Sequence, residues 1–380
     1  MTFNPRFRYE HALVNDLLRI ESARSLVEIL PLPPDKALRL RLDALQRSTH
    51  SSTQIEGNPL DAAAVRKAIA AGPRVGSQAE QEVRNYWRAL NHVEDFSAGR
   101  SPMNESFIRE LHAIVIVRGR GRRGARSDYR PGECPVVDTV SGRIDYGPPE
   151  PKDVPDLMKE LVSWLGSAQA AELPAVIRAA LLAHRFMSIH PFPDGNGRTG
   201  RLLATAIIWQ SGYRMRGFLS FDEFFNADRA AYYSKLQMGL PVNFYDGRHD
   251  PDHEPWLLYF TGVLAKAADE LQIRARRLHA DRGEIEEPWE RLQRPQQQLL
   301  TQVLARQLAE PEEAVTFKPG DVGAWFGVSD RTAREWLAAW VAEDLVEPVT
   351  PSSGRGERIR RYRLVPRWAE LVDRAGPLEI

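Results

Sequence analysis

The chain has 380 residues, and its 51 lysine and arginine residues balance 51 aspartate and glutamate residues, so the formal net charge is zero. A hydrophobic fraction of 43% and a charged fraction of 27% indicate a globular protein and exclude a disordered chain. The length predicts two or three domains. The balanced charge argues against a protein that coats nucleic acid with its whole surface, although it allows a local basic patch.

Cys134 is the only cysteine, which excludes an intramolecular disulfide framework and cysteine-based zinc or iron–sulfur sites. No apolar run approaches the roughly 18 residues that suggest a membrane span. Residues 1–10 also lack the apolar core of a secretory signal. We therefore expect a cytoplasmic protein without a membrane partner.

The first hundred residues have the periodicity of helices. Leucines recur at helical spacing over residues 37–56, and the sequence Gly57-Asn58-Pro59 supplies a helix end, because glycine adopts the left-handed cap and proline follows it. Glu56 is then the last residue of this helix. A carboxylate there faces the negative end of the helix dipole at a cost of roughly 0.3–1 kcal/mol, which many helices tolerate.

A small β-hairpin is predicted after residues 118–126, whose arginines and glycines are typical of a loop. The first strand is mostly β-branched and comprises Val136, Val137, Asp138, Thr139 and Val140. Ser141-Gly142 supplies a turn, and residues 143–146 can return as the second strand.

Two apolar helices follow, separated by a short polar loop. The first, over residues 175–189, ends at His190, because Pro191 and Pro193 cannot lie inside a helix. The second starts near Gly197 and runs to residue 212. It is apolar on most of its sides, which predicts a helix at the centre of the fold.

The loop between these helices has the composition of an anion site. Gly195 and Gly197 flank Asn196, so backbone N–H groups can converge where the second helix begins and where its dipole is positive. Arg198 and Arg201 are three residues apart and share a helix face. Because each guanidinium can bind two oxygens at once, this arrangement predicts a polyphosphate site.

Asp194 and His190 add catalytic chemistry to that site. Asp194 would repel phosphate by itself, but it could hold a Mg²⁺ ion that also binds the phosphates. His190, with an ordinary pKa of about 6.5, suits a general base that takes a proton from an attacking hydroxyl. A single Gly-Asn-Gly is usually only a turn, and a histidine before a proline is usually a helix end. Their coincidence within one short segment favours a catalytic site.

The segment from His190 to Arg201 resembles the signature of the Fic (filamentation induced by cAMP) family, His-Pro-Phe-x-Asp/Glu-Gly-Asn-Gly-Arg-x-x-Arg, at every fixed position. The resemblance implies a protein adenylyltransferase, which moves AMP from ATP to a Ser, Thr or Tyr hydroxyl of a protein, possibly itself, and releases pyrophosphate. It implies a role for each polar residue of the loop: the base is His190, the magnesium ligand is Asp194, the phosphate cradle is Gly195, Asn196 and Gly197, and the β- and γ-phosphates are held by Arg198 and Arg201.

The same resemblance implies two accessory elements. The hairpin at residues 136–146 would be the family's flap, which aligns a target protein by pairing strand to strand. Candidates for the pocket around the nucleotide base are Asn226, Tyr232 and Tyr233. An ordinary amphipathic helix is the alternative interpretation of these three residues.

Residues 52–57 read Ser-Thr-Gln-Ile-Glu-Gly and resemble the family's inhibitory motif, Ser/Thr-x-x-x-Glu-Gly/Asn. The resemblance implies that Glu56 pairs with Arg201 and blocks productive seating of the γ-phosphate. Basal transfer would then be low. In some relatives the same glutamate helps to remove AMP, so the reverse reaction is an alternative.

The C-terminal region has a different character. Residues 321–341 predict two short helices that meet at Gly327-Val328-Ser329, which is helix-turn-helix spacing. A strand and an arginine-rich return over residues 355–363 make this region resemble a winged helix that could contact DNA. Winged helices also bind proteins, and Asp330 and Glu335 partly offset the arginines of the second helix.

The sequence therefore predicts a mainly α fold, with a Fic-type helical core, a small β-hairpin flap and a C-terminal winged helix-turn-helix domain. The expected divisions are an N-terminal helical segment with the inhibitory helix at 1–100, a catalytic core at 101–262, a helical linker at 263–293 and the winged-helix domain at 294–380. The alternatives to AMP transfer are a nucleotide-sensing DNA-binding regulator with vestigial transfer activity, or transfer or removal of another nucleotide moiety. A homodimer is a further option.

Overall fold

The computed structural model describes residues 3–71, 76–99, 101–116, 126–137, 142–280, 291–311, 315–349 and 361–376. Most of these residues are helical, as predicted. The helices are α1 (His11–Ile29), α2 (Pro34–Ile55), α3 (Ala62–Ala70), α4 (Gln78–Ala98), α5 (Glu105–Val115), α6 (Val154–Leu165), α7 (Ala168–Glu172), α8 (Ala175–Ile189), α9 (Asn196–Gln210), α10 (Asp222–Ala227), α11 (Arg229–Gln237), α12 (Glu254–Ala280), α13 (Arg294–Ala309), α14 (Pro319–Phe326), α15 (Asp330–Ala342) and α16 (Pro366–Arg374). Within the described ranges, no helix combines the length and the apolar character needed to cross a bilayer.

Local sequence signals set the ends of several helices. Ser77 and Glu80 form a reciprocal capping box at the start of α4, with each side chain accepting the other's backbone N–H. Helix α2 ends at Ile55, one residue earlier than predicted, so Glu56 is its C-cap. Gly57 follows with φ of 89°, in the left-handed region that glycine adopts readily.

Helices α8 and α9 pack against each other at the centre of the helical body. Helix α9 is buried around its whole circumference, from Asn196 to Trp209. Helices α4 and α5 cover one side of this pair, and α6 and α12 cover the other. A helix enclosed in this way must be apolar on most faces, as its sequence predicts, and the loop at its N-terminus is therefore held between fixed elements.

The predicted hairpin is present as two short antiparallel strands, β1 (Val136–Val137) and β2 (Ile144–Tyr146), with Val136 opposite Tyr146. The predicted strand residues Asp138, Thr139 and Val140 lie outside the described residues. Side chains of β1 and of Ile144 are exposed.

In the C-terminal region, α14 and α15 pack together across Gly327, whose φ is 65°. They precede an antiparallel strand pair, β3 (Val346–Val349) and β4 (Arg361–Leu364). Residues 355–360, most of the predicted basic wing, lie outside the described residues.

Two of the described arginines of this region are paired with carboxylates across or along an element. Arg331 lies 2.9 Å from Glu335 on α15, and Arg363 lies 2.7 Å from Glu347 across the β3–β4 pair. Each carboxylate offsets the charge of its partner, so these four residues do not form a basic surface. The winged helix and its contact with DNA stay predictions.

Helix α13 packs against α2 and α3, and α16 also contacts α2. The junction contains a buried ion pair: Arg41 on α2 and Glu94 on α4 are each 1% exposed, and Nη2 of Arg41 lies 2.5 Å from Oε2 and 2.7 Å from Oε1 of Glu94. From α13, Thr301 accepts a hydrogen bond from Arg41 (3.3 Å) and Gln298 donates one to Glu94 (3.1 Å). The C-terminal region is thus docked on the N-terminal helices through shared buried polar groups.

The predicted linker at 263–293 is helical through Ala280 but is not a separate element. Helix α12 crosses the predicted boundary without a break and packs along α1. Its buried side chains beyond that boundary are apolar and include Leu264, Ala268, Leu271 and Ala275. Because these side chains are covered by the helical body, residues 263–280 belong to it. Residues 281–290 lie outside the described ranges.

Candidate active site

The loop from His190 to Gly195 connects α8 to α9 and has an unusual backbone. His190 adopts the left-handed conformation (φ 51°, ψ 57°), which residues other than glycine rarely occupy. Gly195 is also left-handed (φ 76°), and a Cβ there would lie 3.3 Å from Ile116. The side chain of Asn196 closes the loop, because it accepts from Phe192 N (3.0 Å) and donates to Phe192 O (2.7 Å). Only the backbone of Asn196 therefore remains for a phosphate cradle.

Two residues that the sequence did not single out hold this loop from outside. The imidazole of His112 stacks on Phe192 with 3.7 Å between ring centroids, and its Nε2 lies 2.7 Å from Asp194 O. Arg130 donates from Nε to His190 O (2.9 Å). Neither residue belongs to a recognisable motif, and both reach the loop from more than fifty positions away in sequence, so no local signal could have identified them.

The carboxyl group of Asp194 points outward at the mouth of the site. Its side chain is 78% exposed. It accepts a hydrogen bond from Gly195 N (2.6 Å) and lies 3.3 Å from Nη2 of Arg198, whose own side chain is buried. The Asp194 carboxylate is thus held at the start of α9, where it remains accessible to a ligand.

Arg201 points in a different direction from Arg198, toward the C-terminal end of α2. Its side chain is 3% exposed and donates three hydrogen bonds there: to Ser52 Oγ (2.7 Å), to Ser52 O (2.8 Å) and to Glu56 Oε1 (2.9 Å). The two arginines predicted to share a face therefore have different carboxylate partners. The structure brings Glu56 and Arg201 into direct contact.

The Glu56 carboxylate occupies the N-terminal end of α9. A Cβ on Gly197 would lie only 2.1 Å from Glu56 Oε1, so the carboxylate rests directly on this glycine. Glutamate at the end of α2 faces the negative pole of its own helix, but here it also faces the positive pole of α9. That pole and Arg201 together provide the cationic surroundings that the carboxylate needs.

A buried acid lies behind Arg201. Asp222, at the start of α10, is 1% exposed, and its Oδ1 lies 3.7 Å from Arg201 Nε. Ser48 on α2 donates a hydrogen bond to its other oxygen. Burial raises the pKa of Asp222, and the Arg201 guanidinium opposes that rise. Arg201 is therefore fixed between two carboxylates, that of the buried Asp222 and that of the partly exposed Glu56.

The three candidates for the base pocket lie beside the last turn of α2. Asn226 donates a hydrogen bond to Gln54 Oε1 (2.6 Å), and Tyr233 donates one to Ile55 O (3.2 Å). Tyr232 is buried, with its ring 4.9 Å from that of Phe225. Two of the three are thus bonded to the turn that carries Glu56, and the third packs in the core.

The electrostatic surroundings of His190 keep its imidazole neutral. Burial, and then the nearby Arg130 guanidinium, lower the pKa of His190 to about 4. At neutral pH the ring can therefore accept a proton. This is the state that a general base requires, although the lowered pKa makes it a weaker base than a free imidazole.

Comparison with known proteins agrees with this geometry. Residues 102–208 match the Fic/DOC family. A probable protein adenylyltransferase of Aquifex aeolicus is 37% identical over 168 residues, which are 42% of this chain and 50% of that protein. The protein adenylyltransferase Fic of Drosophila virilis is 26% identical over 200 residues, which are 52% of this chain and 39% of that protein. This chain thus aligns with half or less of the length of either relative.

Among solved structures, a Fic family protein from Desulfovibrio desulfuricans G20 has the same fold. Its TM-score is 0.58 at 23% identity, and the match covers 96% of this chain and 99% of that one. The matched residues 102–208 include α8, the motif loop and most of α9. The part of the chain that holds the motif loop is therefore similar to the Fic/DOC family.

Proposed function

We propose that this chain transfers AMP from ATP to a Ser, Thr or Tyr hydroxyl of a protein and releases pyrophosphate. One observation carries the proposal: the Glu56 carboxylate already lies against Gly197 at the N-terminus of α9 and is paired with Arg201. An anion thus rests where the sequence predicts the terminal phosphates of a nucleotide. The names of the aligned relatives, both protein adenylyltransferases, support the same reaction.

The reaction assigns a separate task to each polar residue of the loop. The neutral imidazole of His190 accepts the hydroxyl proton while the hydroxyl oxygen bonds to the α-phosphorus of ATP. The bond from the α-phosphorus to the bridging oxygen breaks, and pyrophosphate leaves with that electron pair. Arg198 and Arg201 bind the departing phosphates, and the α9 dipole stabilises their charge.

Magnesium fits this site as an ion that arrives with the nucleotide. Within the described ranges, no group of three or more His, Cys, Asp or Glu side chains could hold a metal. A single exposed carboxylate, that of Asp194, suits an ion whose other ligands are phosphate oxygens and water. Asp194 would hold the ion, which when bound would neutralise phosphate charge.

Glu56 keeps the basal activity low in this proposal. Its bond to Arg201 removes one guanidinium donor from the γ-phosphate, and its negative charge repels that phosphate. Asn226 and Tyr233 are bonded to the same turn of α2, so displacement of Glu56 also frees residues predicted to border the base. A change at Glu56 should therefore alter both ends of the nucleotide site.

The deciding experiment measures the intact mass of the Glu56→Gly protein after incubation with Mg²⁺ and either ATP or UTP. We expect a mass gain of one AMP moiety with ATP. The matched control is the same protein with His190→Ala, which should show no gain. Absence of any gain with ATP, or a gain that persists without His190, would contradict the proposal, and a gain with UTP alone would change the donor.

A further inference from the structure

Arg130 connects the motif loop to the hairpin, and it does so from a buried position. The residue is 3% exposed. Its Nε donates to His190 O (2.9 Å), its Nη1 donates to Gly132 O (3.0 Å), and its Nη2 donates to Pro149 O. One guanidinium thus holds three carbonyl groups from three separate stretches of backbone.

Two of those carbonyl groups belong to the base of the hairpin. Gly132 lies four residues before β1, and Pro149 lies three residues after β2. Tyr146, the last residue of β2, also donates its hydroxyl to Ser188 O at the end of α8. One end of the hairpin is therefore fixed to the last turn of α8, and both ends are linked through Arg130 to the carbonyl of His190.

The third carbonyl group belongs to His190 itself, whose left-handed backbone needs external support. The segment around Arg130 grips the neighbouring carbonyls as well. The backbone N–H of Arg130 donates to Pro191 O (2.9 Å), and Cys134 Sγ lies 3.4 Å from Pro193 O. The segment that leads into β1 thus contacts three carbonyl groups of the loop, those of His190, Pro191 and Pro193.

We propose that Arg130 is a positioning residue that holds His190 and the hairpin in a fixed position relative to each other. The inference rests on the proposed function, in which His190 accepts the proton of the target hydroxyl, and on the predicted role of the hairpin as the flap that aligns the target by strand pairing. A strand paired with the hairpin delivers its hydroxyl at a distance set by the base of the hairpin. Because Arg130 bonds that base and the His190 carbonyl together, it determines whether hydroxyl and imidazole meet.

Because of this arrangement, loss of Arg130 should affect the rate of transfer and not the affinity for ATP. Arg198 and Arg201, which would hold the phosphates, make no hydrogen bond to Arg130 among the described contacts. Loss of the Arg130 side chain should therefore reduce the transfer rate at saturating ATP by about 100-fold, the size of effect expected from a displacement of about 1 Å at the reacting atoms. The dissociation constant for ATP should change less than about twofold.

The test uses Arg130→Met and Arg130→Lys in the Glu56→Gly protein, with Arg185→Met as the matched control. Arg185 is also buried and donates to a backbone carbonyl, His249 O (3.0 Å), but no described hydrogen bond joins its side chain to the motif loop or to the base of the hairpin. We measure the first-order rate constant of auto-modification at saturating ATP and, by calorimetry, the ATP affinity. Lysine should not restore the rate, because one ammonium cannot bond three carbonyls in a planar fork.

Parental transfer rates in either Arg130 variant would overturn the proposal, as would an equal loss of rate in Arg185→Met or a parallel loss of ATP affinity. If the Glu56→Gly parent transfers nothing, the proposed function fails, and amide hydrogen exchange then decides the role of Arg130. Arg130→Lys should speed exchange in both β2 and residues 191–197 relative to Arg185→Met. Unchanged exchange in these two segments would show that Arg130 does not fix them.

Discussion

Replacement of Glu56 by glycine should increase the apparent affinity for ATP. The Glu56 carboxylate accepts one charge-assisted hydrogen bond from Arg201, at 2.9 Å, and its side chain is 27% exposed. A hydrogen bond of this type contributes about 1.5–3 kcal/mol, with partial exposure favouring the lower half of that range. ATP must displace this bond before its γ-phosphate reaches Arg201. Because about 1.4 kcal/mol corresponds to a factor of ten, the lower half of that range predicts a gain of roughly 10- to 40-fold.

The assay follows AMP incorporation as a function of ATP concentration in the parent, in Glu56→Gly and in Glu56→Gln. Glutamine keeps the size of the side chain but removes its charge, so it should recover most of the gain if electrostatic competition is the cause. Glu223→Gln is the matched control, because Glu223 pairs with Arg47 at 3.2 Å and is 28% exposed, yet it does not contact the motif loop.

Equal ATP dependence in the parent and in Glu56→Gly would refute competition between the carboxylate and the nucleotide. A comparable gain in Glu223→Gln would indicate instead that any loosening near α2 and α10 raises activity. A gain in Glu56→Gly that Glu56→Gln fails to reproduce would assign the effect to removal of the side chain that rests on Gly197, or to the backbone freedom of glycine, and not to the charge.

Two further predictions concern buried charge. Arg201→Met leaves the Asp222 carboxylate buried without its cation, so it should lower the free energy of unfolding, measured in urea titrations, by about 3–5 kcal/mol. Adding Asp222→Asn to the same chain should recover part of the stability but should not recover AMP transfer. Burial lowers the pKa of His253 to about 4 and that of His184 well below its ordinary value, so the unfolded chain binds more protons than the folded chain below about pH 6.5. The free energy of unfolding should therefore fall as the pH decreases from about 6.5, and less steeply in His253→Asn; a stability that does not change between pH 7 and 5 would contradict this assignment.

Sequence alone located the motif loop and the helices on either side of it, because the signals there are local. Two prolines end α8 at Ile189, and Gly195 caps the start of α9 at Asn196. The end of α2 was predicted within one residue from Gly57 and the proline that follows it. In each case the residues that fix the backbone lie within a few positions of the element that they end.

The supporting residues of the site could not be predicted, because their partners are distant in sequence. Arg130 and His112 bond carbonyl groups 60 and 82 positions away, and nothing in their own neighbourhoods marks them as polar residues that will be buried. Asp222 reads as an ordinary first-turn helix acid, yet it is buried behind Arg201. The continuation of α12 past residue 262 could not be predicted for the same reason. The later residues of α12 are covered by α1, which is distant in sequence.

The junction of α13 with α2 has a practical consequence for anyone who shortens this protein. A fragment that stops before α13 would strip Thr301 and Gln298 from the Arg41–Glu94 ion pair and open that pair to solvent. It would also uncover the flank of α2, the helix whose last turn leads into Glu56. Kinetics recorded on such a fragment would not test the proposed inhibition by Glu56 in its intact surroundings, so a chain that includes α13 is the proper reference for basal activity.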